Sequence, residues 1–225
     1  MTNVHKISIP DAVERLFDIK ISKHEAFRNS LNTLVNTSLF KPQKTQVSYA
    51  VEGRKKTYLG KSELVKFRNA ILLQAIFPAP KTIRKFFTDL EERQALCAWA
   101  EKLLIHQQCI SGIGLASDKL QGYFDVLRGS DDLTKVDLPN PFETLPQIHL
   151  SGNTSLCKLL LAQSASLSST DSMIAYFLSD DLEKAARYAR DVETDVPIIG
   201  QFRDLILKKY AEAIAFSDLL DEWRD

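Results

Sequence analysis

Ser22-Lys23-His24-Glu25-Ala26-Phe27-Arg28-Asn29-Ser30-Leu31-Asn32-Thr33-Leu34-Val35 decides how this chain is read. Phe27, Leu31, Leu34 and Val35 fall at i, i+4, i+7 and i+8, which is one face of a helix. Ser22 with Glu25 three residues later forms a capping box, so a helix is predicted from Ser22 to about Leu39. With the apolar residues turned inward, the opposite face carries Glu25, Asn29, Asn32, Thr33 and Asn36. Arg28 lies at its edge, and Lys23 and His24 sit at the N-terminal end.

On the N-terminal side, Pro10–Phe17 reads as a short helix, with Pro in its first turn and Asp11 and Glu14 near the positive end of its dipole. Asp18–Ile21 reads as a turn. On the C-terminal side, Pro42 stops the capped helix. Val47–Val51 and Lys56–Leu59 alternate like two short strands, and Glu52-Gly53-Arg54-Lys55 joins them with a Gly suited to positive φ. Ser62 begins a helix to about Phe77, ended by Pro78 and Pro80. Thr88-Asp89-Leu90-Glu91 is a second capping box, opening a helix to about Cys109. Ser117 to about Leu127 is another helix. Arg128–Pro146 is a long loop in which Gly129, Pro139, Pro141 and Pro146 forbid regular structure. Thr154–Ser164 and Thr170–Leu178 read as short helices, Ser179 caps a helix to about Val192, and Ile199–Trp223 is a long final helix.

The helix pair and basic hairpin over about Ile7–Lys61 resemble a winged helix-turn-helix, the shape of transcriptional repressors such as the MarR and PaaX families. The residues that carry the likeness are Ser22-x-x-x-Ala26-x-Arg28-x-x-Leu31-x-x-Leu34-Val35, then Gly53-Arg54-Lys55-Lys56-Thr57-Tyr58-Leu59. The resemblance implies that the capped helix enters the major groove and that the Gly-Arg hairpin is a wing on the phosphates or minor groove. The expected fold is therefore mainly α: an N-terminal winged helix-turn-helix with a small β-hairpin, followed by an all-helical C-terminal domain.

Charge agrees with that division. The 225 residues contain 29 Lys+Arg and 29 Asp+Glu, a formal net charge of zero. Residues 1–86 hold 16 positive and 6 negative side chains, net +10, and the remainder is net −10. Such asymmetry suggests a basic module at 1–86 that meets nucleic acid or a membrane surface, and an acidic module at 87–225. The two halves could also attract each other, or neighbouring copies could stack head to tail. Asn reads adenine and Arg reads guanine through paired hydrogen bonds, and recognition helices use their N-terminal half for bases. Lys23, His24, Arg28, Asn29 and Asn32 are therefore the base-side candidates. Arg54, Lys55 and Lys56 at the hairpin tip, flanked by Lys41, Lys44 and Lys61, are the phosphate-side candidates. The expected partner is double-stranded DNA. The alternative is an assembly subunit whose winged helix docks an acidic protein.

Nothing in the chain carries a recognisable catalytic motif. There is no GxxxxGK[ST] loop, and Ser111-Gly112-Ile113-Gly114 does not fit a dinucleotide fingerprint. His106 and Cys109 share a helix at i, i+3 but lack two further ligands at metal spacing. Helix capping and loop solvation explain Asp180-Asp181 and Asp131-Asp132. No catalytic residue, metal or cofactor is expected. Three cysteines without a paired motif, and a start without an apolar core, suggest a reducing cytoplasm. No stretch is apolar enough to span a bilayer. In the last helix Phe202, Ile206 and Tyr210 form a stripe, and Ala211, Ala213 and Ala215 permit close approach of another helix. That helix is either ordinary core or a surface for a protein partner or homo-oligomer.

Overall fold

Ser8 starts the first helix: its hydroxyl accepts the Asp11 N–H, and Pro10 sits in the first turn. In the computed structural model, which describes residues 6–36, 39–40, 43–46, 55–77, 80–106, 117–142 and 167–222, the chain is mainly helical with one small antiparallel sheet. It divides into two compact units, Met1–Leu156 and Cys157–Asp225. The change of charge at residue 86 falls inside the first unit, where Lys85 on one helix pairs with Glu92 on the next.

The first unit opens with β1 (Lys6–Ser8) and α1 (Ile9–Phe17). Asp18 ends α1 in the left-handed region at φ 56°, which Asp tolerates better than most residues. The chain then makes a 3₁₀ turn at Ile21–Lys23, with Ile21 buried, before α2 (Glu25–Asn36). Ser22 therefore belongs to this turn, and the expected cap at Ser22 is corrected. The first backbone bond of α2 runs from the Arg28 N–H to the His24 carbonyl, because burying Ile21 draws Ser22 into the tighter turn. As expected, Phe27, Leu31, Leu34 and Val35 are all buried.

β2 (Gln43–Gln46) and β3 (Lys55–Gly60) pair antiparallel, and β1 pairs with β3, giving the order β1-β3-β2. Sequence reading expects only the hairpin. β1 is three residues long, too short to show an alternation, and exists through its ladder with Tyr58–Gly60. The expected strand at Val47–Val51 lies outside the described residues.

α3 (Leu64–Ile76) is the core of this unit. Every residue from Asn69 to Phe77 is buried, as suits a helix apolar on nearly all sides. It packs beneath α2: the Gln74 amide donates to the Ser30 carbonyl at 3.3 Å, and Phe67 meets Phe40 edge-on at 5.8 Å. Its buried Asn69 holds the loop at 130–142. The amide donates to the carbonyls of Leu133 and Val136 at 2.8 and 2.6 Å and accepts the Leu138 N–H at 3.3 Å. Arg68 adds bonds to the Leu138 carbonyl and Asp137. The long Pro-rich loop is thus held by α3, and Arg93 adds a bond to the Ser130 carbonyl.

α4 (Pro80–Thr88) fills a stretch that sequence reading leaves without structure. Pro80 opens this helix where a stop is expected, since Pro fits a first helical position. α5 (Leu90–His106) and α6 (Ser117–Gly129) complete the described part of the unit. The cap of α5 is Asp89, which accepts the Glu92 N–H at 2.9 Å; Thr88 instead bonds back to Arg84. The expected helix at Thr154–Ser164 lies outside the described residues.

In the second unit α7 (Ser169–Leu178), α8 (Leu182–Arg190) and α9 (Pro197–Glu222) pack on one another. Asp180 at φ 62° makes the α7–α8 turn, and Asp181, where Ser179 is expected, caps α8 by accepting the Lys184 N–H. Met173, Ile174, Leu178, Ala185, Ala189 and Ile206 lie in its core. Tyr176 and Tyr188 stack at 5.5 Å, and Phe177 meets Phe202 edge-on at 5.2 Å. Among the described residues, no helix is long and apolar enough to cross a membrane.

Candidate nucleic-acid interface

α2 is anchored from below and open above. Its buried side rests in the core with α3, and Glu25, Ala26, Arg28, Asn29, Asn32, Thr33 and Asn36 are all exposed. Lys23 is exposed in the preceding 3₁₀ turn, and His24 is half-buried at its end. The five base-side candidates therefore lie together over the turn and the first two-thirds of one helix. A helix of this length spans about 18 Å and is about 10–12 Å across, dimensions that a major groove about 12 Å wide admits.

Sequence reading places Glu25 on this face but misses what it does. Its carboxylate accepts a hydrogen bond from the Arg28 guanidinium at 3.2 Å. The i, i+3 spacing was the available signal. Both side chains are well exposed, 49% for Arg28 and 79% for Glu25. Such a pair stabilises by at most about 1 kcal/mol, so its effect is to orient Arg28 and to cancel its charge locally. Lys20 at the end of the α1–α2 turn is exposed too and lies 3.8 Å from Glu14.

The phosphate-side candidates fall on and around the hairpin. Lys44 is in β2 opposite Thr57, and Lys55 and Lys56 are in β3 opposite Gln46 and Thr45. Lys56 is in a strand as expected, and Lys55, expected in the connecting turn, begins that strand. Lys61 is in the 3₁₀ turn after β3. Lys41 and Arg54 lie outside the described residues.

Comparison of the chain with protein families, with curated proteins and with solved structures gives no match.

The groups whose proton affinity is clearly displaced lie elsewhere. Burial pushes the Cys97 thiol up to about 12, which leaves it a neutral, unreactive side chain at ordinary pH. Burial also raises the Tyr123 phenol, whose hydroxyl has no hydrogen-bond partner among the described residues. Burial lowers the neighbouring Arg93 guanidinium, which nonetheless donates to the carbonyls of Phe86 and Ser130. Asp132 is held down at about 2 by hydrogen bonds from the Thr134 hydroxyl and N–H and from Lys135. Its partner in the Asp131-Asp132 pair is exposed. Among the described residues, no three His, Cys, Asp or Glu side chains gather as a metal set would.

Proposed function

We propose that the first unit binds double-stranded DNA, as a winged helix-turn-helix would, in the manner of a transcriptional regulator or an accessory subunit of a DNA-handling assembly. α2 lies in the major groove, and the β2–β3 hairpin follows the phosphates. The observation that carries this reading is the outward face of α2, where Arg28, Asn29 and Asn32 stand exposed on a helix whose other face is fully buried. The Asn side chains pair with adenine edges and Arg28 with guanine. Lys44, Lys55, Lys56 and Lys61, with Lys41 and Arg54 close to them in sequence, give a sequence-independent grip. The +10 charge of residues 1–86 supplies the attraction that brings a duplex to this face.

Titration of a labelled duplex across a salt series tests this. Affinity falls linearly on logarithmic axes as phosphate counterions are released. Replacing Arg54, Lys55 and Lys56 by Ala weakens binding to all sequences and reduces the slope by about 1 per lost contact. Absence of duplex binding at about 50 mM salt, the favourable end of that dependence, contradicts the proposal and turns attention to an acidic protein as the partner of this face.

A further inference from the structure

α2 carries no charge after Arg28. Asn29, Asn32, Thr33 and Asn36 are exposed on its outer side, while the inner side is apolar and buried. Asn and Thr form helices less readily than the Lys, Glu or Gln that suit a face meeting only water. The last two turns of α2 therefore give up local stability on one side alone, a departure of the kind found at functional surfaces. Asn29, Asn32 and Asn36 stand at i, i+3 and i+7, so they share a stripe about 60° wide and rise about 10.5 Å from first to last. Thr33 lies beside that stripe. Its hydroxyl donates to the Asn29 carbonyl at 3.1 Å, which leaves the methyl as its outward group. Glu25 is on the same side, before the stripe, and is engaged by Arg28.

We infer, on the DNA reading of this face, that α2 lies along the major groove to its last turn and reads a run of about four A·T pairs, the length its row of Asn side chains spans when bases step by about 3.4 Å. Each Asn offers a donor to the adenine N7 and an acceptor to its amino group, and the Thr33 methyl meets a thymine methyl. Asn36 is thereby a third specificity residue, at the end of the helix, where sequence reading expects only the N-terminal half to meet bases. Arg28, at the edge of the face and nearer the start of the helix, sets a guanine at one end of the run. An uncharged reader releases no counterions, so its contribution shows in sequence preference and leaves the salt slope alone.

Fluorescence anisotropy of the full chain with a set of duplexes, identical outside a central block, tests this. The first block is one guanine followed by four adenines, and the second is G·C pairs only. The third repeats the first with 7-deazaadenine, which removes the N7 acceptor from the major groove and leaves the minor groove as it was. The first duplex binds at least about tenfold tighter than the second, since several pairs are mismatched at once. The third binds at least about fivefold more weakly than the first, because each Asn loses one of its two bonds. Asn36→Ala leaves the circular dichroism and the salt slope unchanged and lowers the preference for the first duplex over the second by about fivefold or more, the loss of one base contact. Equal affinity for the first two duplexes, a preference that survives 7-deazaadenine, or an Asn36→Ala variant with the preference of wild type overturns the A·T assignment and leaves the DNA reading standing. A chain that binds none of the duplexes overturns both.

Discussion

α2 and the end of α9 both present an open helix face, and the two faces differ in kind. The outward face of α2 is polar, over a buried inner face in the packed core with α3. It is stable without any cover, so whatever binds there binds to a finished surface. The end of α9 has no such backing, and its open residues include Phe216 and Ile214. An apolar helix end in water is stabilised by being covered. A polar face built on a rigid core suits a reversible, charge-driven encounter.

The comparison breaks first if the inner face of α2 does not hold the platform. Leu31 is fully buried, and Leu31→Ala removes its packing at a cost of about 3 kcal/mol. Urea unfolding followed by circular dichroism shows the loss, and duplex binding falls with it because the outer face loses its support. A variant of wild-type stability removes the distinction between the two sides of α2. A smaller effect of opposite sign follows from the Glu25–Arg28 pair. Glu25→Gln frees Arg28 and removes a negative charge, so duplex affinity rises by up to about fivefold, the equivalent of about 1 kcal/mol. Weaker binding of this variant shows that Glu25 itself contacts a base.

The smallest effect concerns the turn that α3 holds. Asp132 is lowered from 3.8 to about 2 by bonds in the folded chain. Its contribution is complete above the ordinary value and is lost as pH falls through about 2. Asp132→Asn therefore unfolds at a lower temperature than wild type near neutral pH, and the gap closes by pH of about 2. A gap that persists in acid assigns the effect to the shape of the turn.

Local pattern was enough wherever the cause of a structure lay within a few residues. The inner face of α2 is a spacing of four residues, and the start of α1 needs only Ser8, Pro10 and Asp11. The pattern fails where the cause is distant or doubled. β1 forms because β3, some fifty positions later, completes its ladder. Asn69 looks like a polar interruption of an apolar run, and its partners are Leu133, Val136 and Leu138. Pro80 opens α4 although a Pro is equally a reason to stop. On the candidate face, exposure of Arg28, Asn29 and Asn32 was readable from the wheel of α2. The tie between Arg28 and Glu25 required seeing which of two neighbours the guanidinium takes.

The most direct measurement compares wild type with the Asn29→Ala/Asn32→Ala variant in one set of samples, recording duplex affinity at about 50 mM salt and the urea unfolding midpoint together. Both side chains are exposed on α2, so stability stays within about 0.5 kcal/mol of wild type. Affinity for an A·T-containing duplex falls by at least about tenfold, since each lost adenine contact costs about 1–3 kcal/mol. Equal affinities for the two proteins, or a wild type that leaves the duplex unbound, contradict the assignment of this face to DNA.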